Sequence, residues 1–142
     1  MAPRERTEEH HADHRRPPGD HRRAVPAGHI FDGAQLDRLE EVFTPEIVYD
    51  LSEAGVGTFE GIEAIRAATV RLGAHNPIAH HVTNVVITGD GEDLATVRSK
   101  GLVIMANGTL QSVNHVDTVR RHDGRWLISH RVITNQQAPS YQ

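Results

Sequence analysis

Apolar residues recur along the chain with two periods, one suited to helices and one to strands. Over residues 34–43, Leu36, Leu39 and Phe43 fall on one helical face while Glu40 and Glu41 turn outward, which predicts an amphipathic helix. Pro45 disfavours helix at Thr44, so this helix is expected to end there. The run Ile47-Val48-Tyr49-Asp50-Leu51 predicts a strand, and residues 55–59 its short partner. Residues 61–72 return to helical spacing, with Ile62, Ile65, Thr69 and Leu72 on one side. Four long strands are then expected over residues 80–88, 94–105, 110–121 and 125–135.

Gly89-Asp90-Gly91, Asn107-Gly108 and Asp123-Gly124 separate these strands. Asn-Gly and Asp-Gly supply the positive φ angles that tight hairpin turns require, so the last three strands are expected to form an antiparallel meander. The order of helix, short strands, helix and long strands predicts an α+β fold, with helices packed on one face of a curved antiparallel sheet. Such a sheet closes partly around its helices and leaves a cone-shaped apolar cavity. That cavity is the first place to look for function.

The first 28 residues follow neither period. They hold six of the 15 Lys and Arg residues and four of the seven prolines, and their only large apolar residues are Met1 and Val25. Disorder is the expectation for this segment, because it has too little apolar surface to offset its ordering entropy. The domain is expected over residues 29–142. The His/Arg clusters at His10-His11, His14-Arg15-Arg16 and His21-Arg22-Arg23 are read as features of a polar tail rather than as a metal site.

The whole chain has 142 residues, the size of one domain. It contains no cysteine, which excludes a disulfide scaffold, a thiolate metal site and a cysteine nucleophile. A net charge of −4 with neutral histidines offers no basic surface for nucleic acid. No apolar run reaches the roughly 18 residues of a membrane span, and the first 30 residues lack the apolar stretch expected of a secretory signal. A cytoplasmic domain without nucleic-acid or membrane partners is the expectation.

Several stretches carry a family resemblance. Phe31-Asp32-Gly33-Ala34-Gln35-Leu36-Asp37-Arg38-Leu39, Val42-Phe43-Thr44-Pro45-Glu46 and Val48-Tyr49-Asp50-Leu51 resemble the opening of SnoaL-like domains of the nuclear transport factor 2-like superfamily. Phe59-Glu60-Gly61-Ile62-Glu63-Ala64-Ile65-Arg66, His80-His81-Val82-Thr83-Asn84 and Asp123-Gly124-Arg125-Trp126-Leu127-Ile128 extend the match over residues 29–142. The resemblance implies a cone-shaped sheet around helices, the cystatin-like roll. The subgroup it is most similar to includes scytalone dehydratase and bile acid 7α-dehydratase. There an Asp on a helix and a His on a strand face each other across the pocket, and they map to Asp32 and His80. The Tyr that usually accompanies them would fall near Ala27, where none stands. Residues 1–28 either replace the usual first helix or stem from an altered start or shifted reading frame.

The chemistry of these residues is consistent with that implication. Dehydration of a β-hydroxy carbonyl compound needs a base for the acidic proton and an acid for the departing hydroxyl. An imidazole, titrating near pH 6.5, can serve as both when a carboxylate fixes its tautomer. The bland alternatives are a turn or cap role for Asp32 and a half-buried strand histidine at His80. Alternation along the strand places Val82, Asn84 and Val86 on the His80 face and His81 on the other. Asn84 is then either a contact for a substrate oxygen or a partner for backbone.

Tyr49 and Leu51 share one face of the first strand and are assigned to the pocket. In steroid isomerases of the superfamily the carboxylate base sits near the position of Leu51, so Asp50 would serve only after a one-residue slip. His115 is either a second pocket histidine or half of an outer-face pair. Arg131 either clamps an anionic group or pairs with Asp117. Trp126 follows the Asp-Gly turn as a core or pocket residue. No metal site is expected, since no His lies at ligand spacing beside Asp32, Asp37, Glu40 and Glu41.

Two functions follow. One is a cofactor-independent lyase or isomerase, dehydratase- or cyclase-like, acting through His80 and Asp32 on a small, largely apolar, oxygenated ring compound such as a polyketide or steroid. The other is a non-catalytic ligand-binding or dimerisation module of the same fold. A homodimer is expected in either case, because the outer face of the sheet carries Val, Ile and Thr side chains that need cover.

Overall fold

The structure, a computed structural model, describes residues 27–89 and 91–141. The disorder expected over residues 1–28 therefore lies, as far as residue 26, outside the described residues. Helix α1 spans Ala27–Asp32 and a 3-10 helix follows at Leu36–Glu41. Strand β1 (Phe43–Leu51), strand β2 (Gly57–Glu60) and helix α2 (Ile62–Leu72) come next. Four long strands complete the domain: β3 (Ala79–Gly89), β4 (Leu94–Ile104), β5 (Leu110–His122) and β6 (Arg125–Asn135).

The helix expected over residues 34–43 is replaced by α1 and the 3-10 helix, and the reason lies at Gly33-Ala34. The amide of Gln35 donates to the Ile30 carbonyl at 2.8 Å and that of Ala34 to Phe31 at 3.2 Å, with Ala34 at φ +52°. These two bonds and the left-handed residue between them make a Schellman stop. The chain restarts as a tight 3-10 helix that still buries Leu39. Thr44 and Pro45 are not a helix terminus. They lie inside β1, where the pairing with β6 is irregular between Phe43 and Val48.

The six strands form one open sheet in the order β2-β1-β6-β5-β4-β3. The expected meander is present. β4 and β5 pair without a shift from Leu94–Arg120 to Ile104–Leu110, and Asp123 and Gly124 both take the positive φ of a tight hairpin turn. The sheet is mixed rather than wholly antiparallel, because β1 lies parallel to β6. Ile30, Leu39, Phe43 and Ile47 are fully buried between the helices and the sheet, joined by Ile62 and Ile65 of α2. Ala68, not Leu72, completes the buried side of α2, and Leu72 is exposed. A second cluster of Val103, Val113 and Ile133 lies further along the same sheet face, with Tyr49, Leu51 and Met105 packed on it.

Candidate active site

Gly28 is the residue that lets α1 reach β3. A Cβ at this position would stand 3.1 Å from the His80 carbonyl oxygen and 3.2 Å from its Cβ. One turn later, Asp32 arrives beside His80 and holds it at two points. Asp32 Oδ1 lies 2.6 Å from His80 Nδ1, and Oδ2 accepts the His80 backbone N–H at 3.0 Å. With Nδ1–H donating to the carboxylate, Nε2 keeps its lone pair available. Both side chains are 27% exposed, so a solute can reach them.

An aromatic group backs the pair. The Phe31 ring lies 6.1 Å from the His80 ring and 6.4 Å from both Phe43 and Tyr49, while Phe43 meets Tyr49 edge-on at 5.8 Å. Phe31 also lines a hollow of about 290 Å³ with Ala34, Leu36, Thr69, Val70, Gly73, Asn76 and Pro77, to which neither Asp32 nor His80 contributes. Tyr49 pairs with Arg131 across the parallel β1–β6 ladder, placing both on the inner face. Burial pushes the Tyr49 phenol up, against a weaker opposing pull from Arg131. Arg131 is itself bound by Asp117, Nε to Oδ1 at 2.7 Å and Nη2 to Oδ2 at 2.8 Å, both side chains being buried. Burial alone would lower the arginine, but the Asp117 carboxylate holds it above its ordinary value. The pairing alternative for Arg131 is the one the geometry adopts.

His115 stands opposite Ser99 in the β4–β5 ladder, on the inner face and 7% exposed. Its ring leans over Gly101, where an added Cβ would sit 2.8 Å from His115 Cε1. Ser99 Oγ is 3.3 Å from Nδ1. Burial, with help from the Arg131 charge, pushes His115 down to about 4, so its ring is neutral at pH 7.

The register changes part of the pocket wall. Thr83 pairs with Lys100 and Val86 with Arg98, leaving Asn84 and Val85 against the single residue Ser99. This is a β-bulge, with Asn84 at φ +54°. Val82 shares the His80 side, opposite Gly101, but beyond the bulge Val86 turns outward and Ile87, opposite Val97, takes the inner side. The expectation that Val86 shares the His80 face is thus corrected. Asn84 serves as the bulge residue, its Oδ1 accepting from the Thr83 hydroxyl.

Leu51 packs on the second apolar cluster. Asp50 is tied at the strand end, Oδ1 accepting from the Ser52 amide, the Ser52 hydroxyl and the Thr58 hydroxyl. Trp126 is neither core nor near His80. It is 45% exposed at the Asp123-Gly124 end of the sheet, with the Arg121 guanidinium 5.8 Å from its ring. The sequence did not point to Gly28, Phe31, Ser99 or Gly101. Ser99 and His115 lie equally far from Asn107, so the hairpin centre was the signal that pairs them.

Among the described residues, no group of three or more His, Asp or Glu is arranged to hold a metal ion. No helix among them is long and apolar enough to cross a membrane.

A helix-borne carboxylate gripping a strand histidine, on an open mixed sheet with helices over one face, defines a small α+β pocket domain. The chain belongs to the SnoaL-like domain family, whose model matches residues 25–132. Solved structures agree in fold. A candidate aromatic ring hydroxylase from Novosphingobium aromaticivorans is 26% identical, with 78% of this chain and 82% of that one covered and a TM-score of 0.66. A candidate scytalone dehydratase from the same species is 21% identical over 81% and 80% of the two chains, with a TM-score of 0.65. An NTF2-like protein with a cystatin-like fold, again from that species, is 24% identical over 80% and 77%, with a TM-score of 0.64. No curated protein matches the chain.

Proposed function

We propose that the protein is a lyase or isomerase that needs no cofactor, and that His80 and Asp32 form its acid–base couple. The observation that carries this reading is the 2.6 Å contact between Asp32 Oδ1 and His80 Nδ1, on a pair that stays open to a solute. The substrate class is a small, largely apolar ring compound carrying a hydroxyl β to a carbonyl. Nε2 of His80 takes the proton α to the carbonyl, and the imidazolium so formed is stabilised by Asp32. The same proton then passes to the departing hydroxyl, which leaves as water. An enone remains and the histidine returns to its starting state, so atoms and charge balance. Proton transfer of this kind supplies about 10²–10⁴-fold in rate.

We further propose that two copies associate through the outer face of the sheet. Val86 and Val116 flank Arg98 there, at 59% and 40% exposure. The catalytic reading is tested by incubating the protein with a panel of hydroxylated cyclic ketones and following loss of water by mass. Turnover of at least one member supports it. Binding of panel members without turnover supports the binding-module reading instead.

A further inference from the structure

His115 is the buried titratable group that the proton transfer above does not use. Three observations define its surroundings. First, its ring lies over Gly101, which sits diagonally across the β3–β4 ladder from His80, since His80 pairs with Val103 and Val82 with Gly101. Gly101 has no side chain, so nothing on β4 at that position stands between the two rings. Any side chain there would collide with His115, whose Cε1 lies 2.8 Å from the site of a Cβ.

Second, the hydrogen-bond inventory fixes the tautomer. Ser99 Oγ has one partner among the described residues, His115 Nδ1 at 3.3 Å. If Nδ1 carried the proton, the serine hydroxyl hydrogen would have no acceptor in a 7% exposed site. With Ser99 donating to Nδ1, the proton resides on Nε2. Third, His115 Nε2 makes no hydrogen bond among the described residues and is not one of their fully shielded unpaired side-chain atoms, so it faces open space that a ligand or water can enter. The Nε2–H tautomer therefore leaves its unpaired donor where it can be met from outside, whereas the other would strand the Ser99 hydroxyl. The charged or titratable groups that act on His115 are Arg131, Asp117 and His80. The first two are committed to each other through two hydrogen bonds, and the third to Asp32.

We propose that His115 Nε2–H is a substrate-reading donor, aimed by Ser99 and given room by Gly101, which binds a neutral oxygen acceptor of the ligand while His80 faces a second position on it. This rests on the reading of the inner face as a substrate pocket. It narrows the ligand class to compounds with an uncharged carbonyl or ether oxygen, because a donor that stays neutral beside a compensated Arg131–Asp117 pair offers no net charge to an anion. A site built to bond an oxygen rejects an analogue that lacks it more strongly than a purely apolar site does.

The test uses ¹⁵N NMR of the full chain with two probes of like shape, 1-indanone and indane, His115 being assigned by the loss of its signals in His115→Gln. The expected result is an Nε2–H tautomer at pH 7 that becomes a mixture in Ser99→Ala. Millimolar 1-indanone is expected to shift the His115 Nε2 signal and to bind at least tenfold more tightly than indane, with the preference lost in His115→Gln. In His80→Ala the preference should persist, so failure of the acid–base reading is distinguishable from failure of this one. An Nδ1–H tautomer in the unsubstituted protein, no shift with 1-indanone, or equal shifts with both probes overturns the assignment.

Discussion

Gly28 leaves no room for a Cβ against His80, and this close approach sets the distance across which Asp32 reaches the imidazole. The His80 carbonyl, 3.1 Å from where a Cβ would stand, belongs to a residue paired with Val103 of β4, which limits its freedom to yield. Gly28→Val should therefore push α1 from β3. The expected cost is about 1–3 kcal/mol, typical of overpacking. The expected chemical consequence is loss of the Asp32–His80 bond, read as loss of the Nδ1–H tautomer in the His80 ¹⁵N spectrum at pH 7. An unchanged tautomer and melting temperature would contradict it.

His115 gives the fold a pH dependence whose sign is fixed. Its value of about 4 in the folded chain lies below the ordinary 6.5, so the unfolded chain binds the extra proton first. Stability from this group is complete above pH 6.5 and is lost as pH falls toward 4, by about 3 kcal/mol at most. Denaturant titrations at pH 7.5 and 4.5 should show the loss, and His115→Gln should shrink it. Equal pH dependence in both proteins would contradict the assignment.

Ala34 occupies a left-handed position that disfavours a Cβ, at φ +52°. Ala34→Gly should raise stability by about 0.5–1 kcal/mol, the relief of strain outweighing the added entropy of the unfolded chain. Chemical denaturation midpoints measure this directly. A destabilised variant would mean that the Schellman stop is not formed in solution.

Self-association through the outer face should appear in sedimentation as a species of twice the 15.7 kDa chain mass. Val116→Asp places a charge in the middle of that face, beside Arg98 and Val132 in the cross-strand row. It should yield the single-chain species at micromolar concentration without altering the far-UV spectrum. A monomer before substitution would contradict the dimer.

The meander was legible because its two hairpin dipeptides force the turn, and β4–β5 pairing then follows from the turn centre alone. The start of the domain was not. Leu36, Leu39 and Phe43 satisfy a helical period, yet the Schellman bonds at Ala34 and Gln35 stop α1 before that stretch begins. They leave the apolar spacing to a 3-10 helix and the first residue of β1. Asp32 and His80 could be paired only through the resemblance, since 48 residues separate them and the contact depends on Gly28. Alternation along β3 failed at Asn84 because a bulge adds one residue and reverses the faces beyond it. Trp126 misled because a large aromatic after a turn is usually buried, whereas this one covers Arg121 at the sheet end.

The most direct test of the account is the rate of water loss from an accepted hydroxylated ketone, compared across three substitutions. His80→Ala should abolish turnover while leaving the fold intact. Asp32→Asn should keep the shape of the contact but remove its charge, lowering kcat by two or more orders of magnitude with a smaller change in KM. His81→Ala, on the opposite face and paired with Leu102, is the control and should retain most activity. Full activity in His80→Ala, or equal losses in His80→Ala and His81→Ala that track lowered stability, would contradict the acid–base couple.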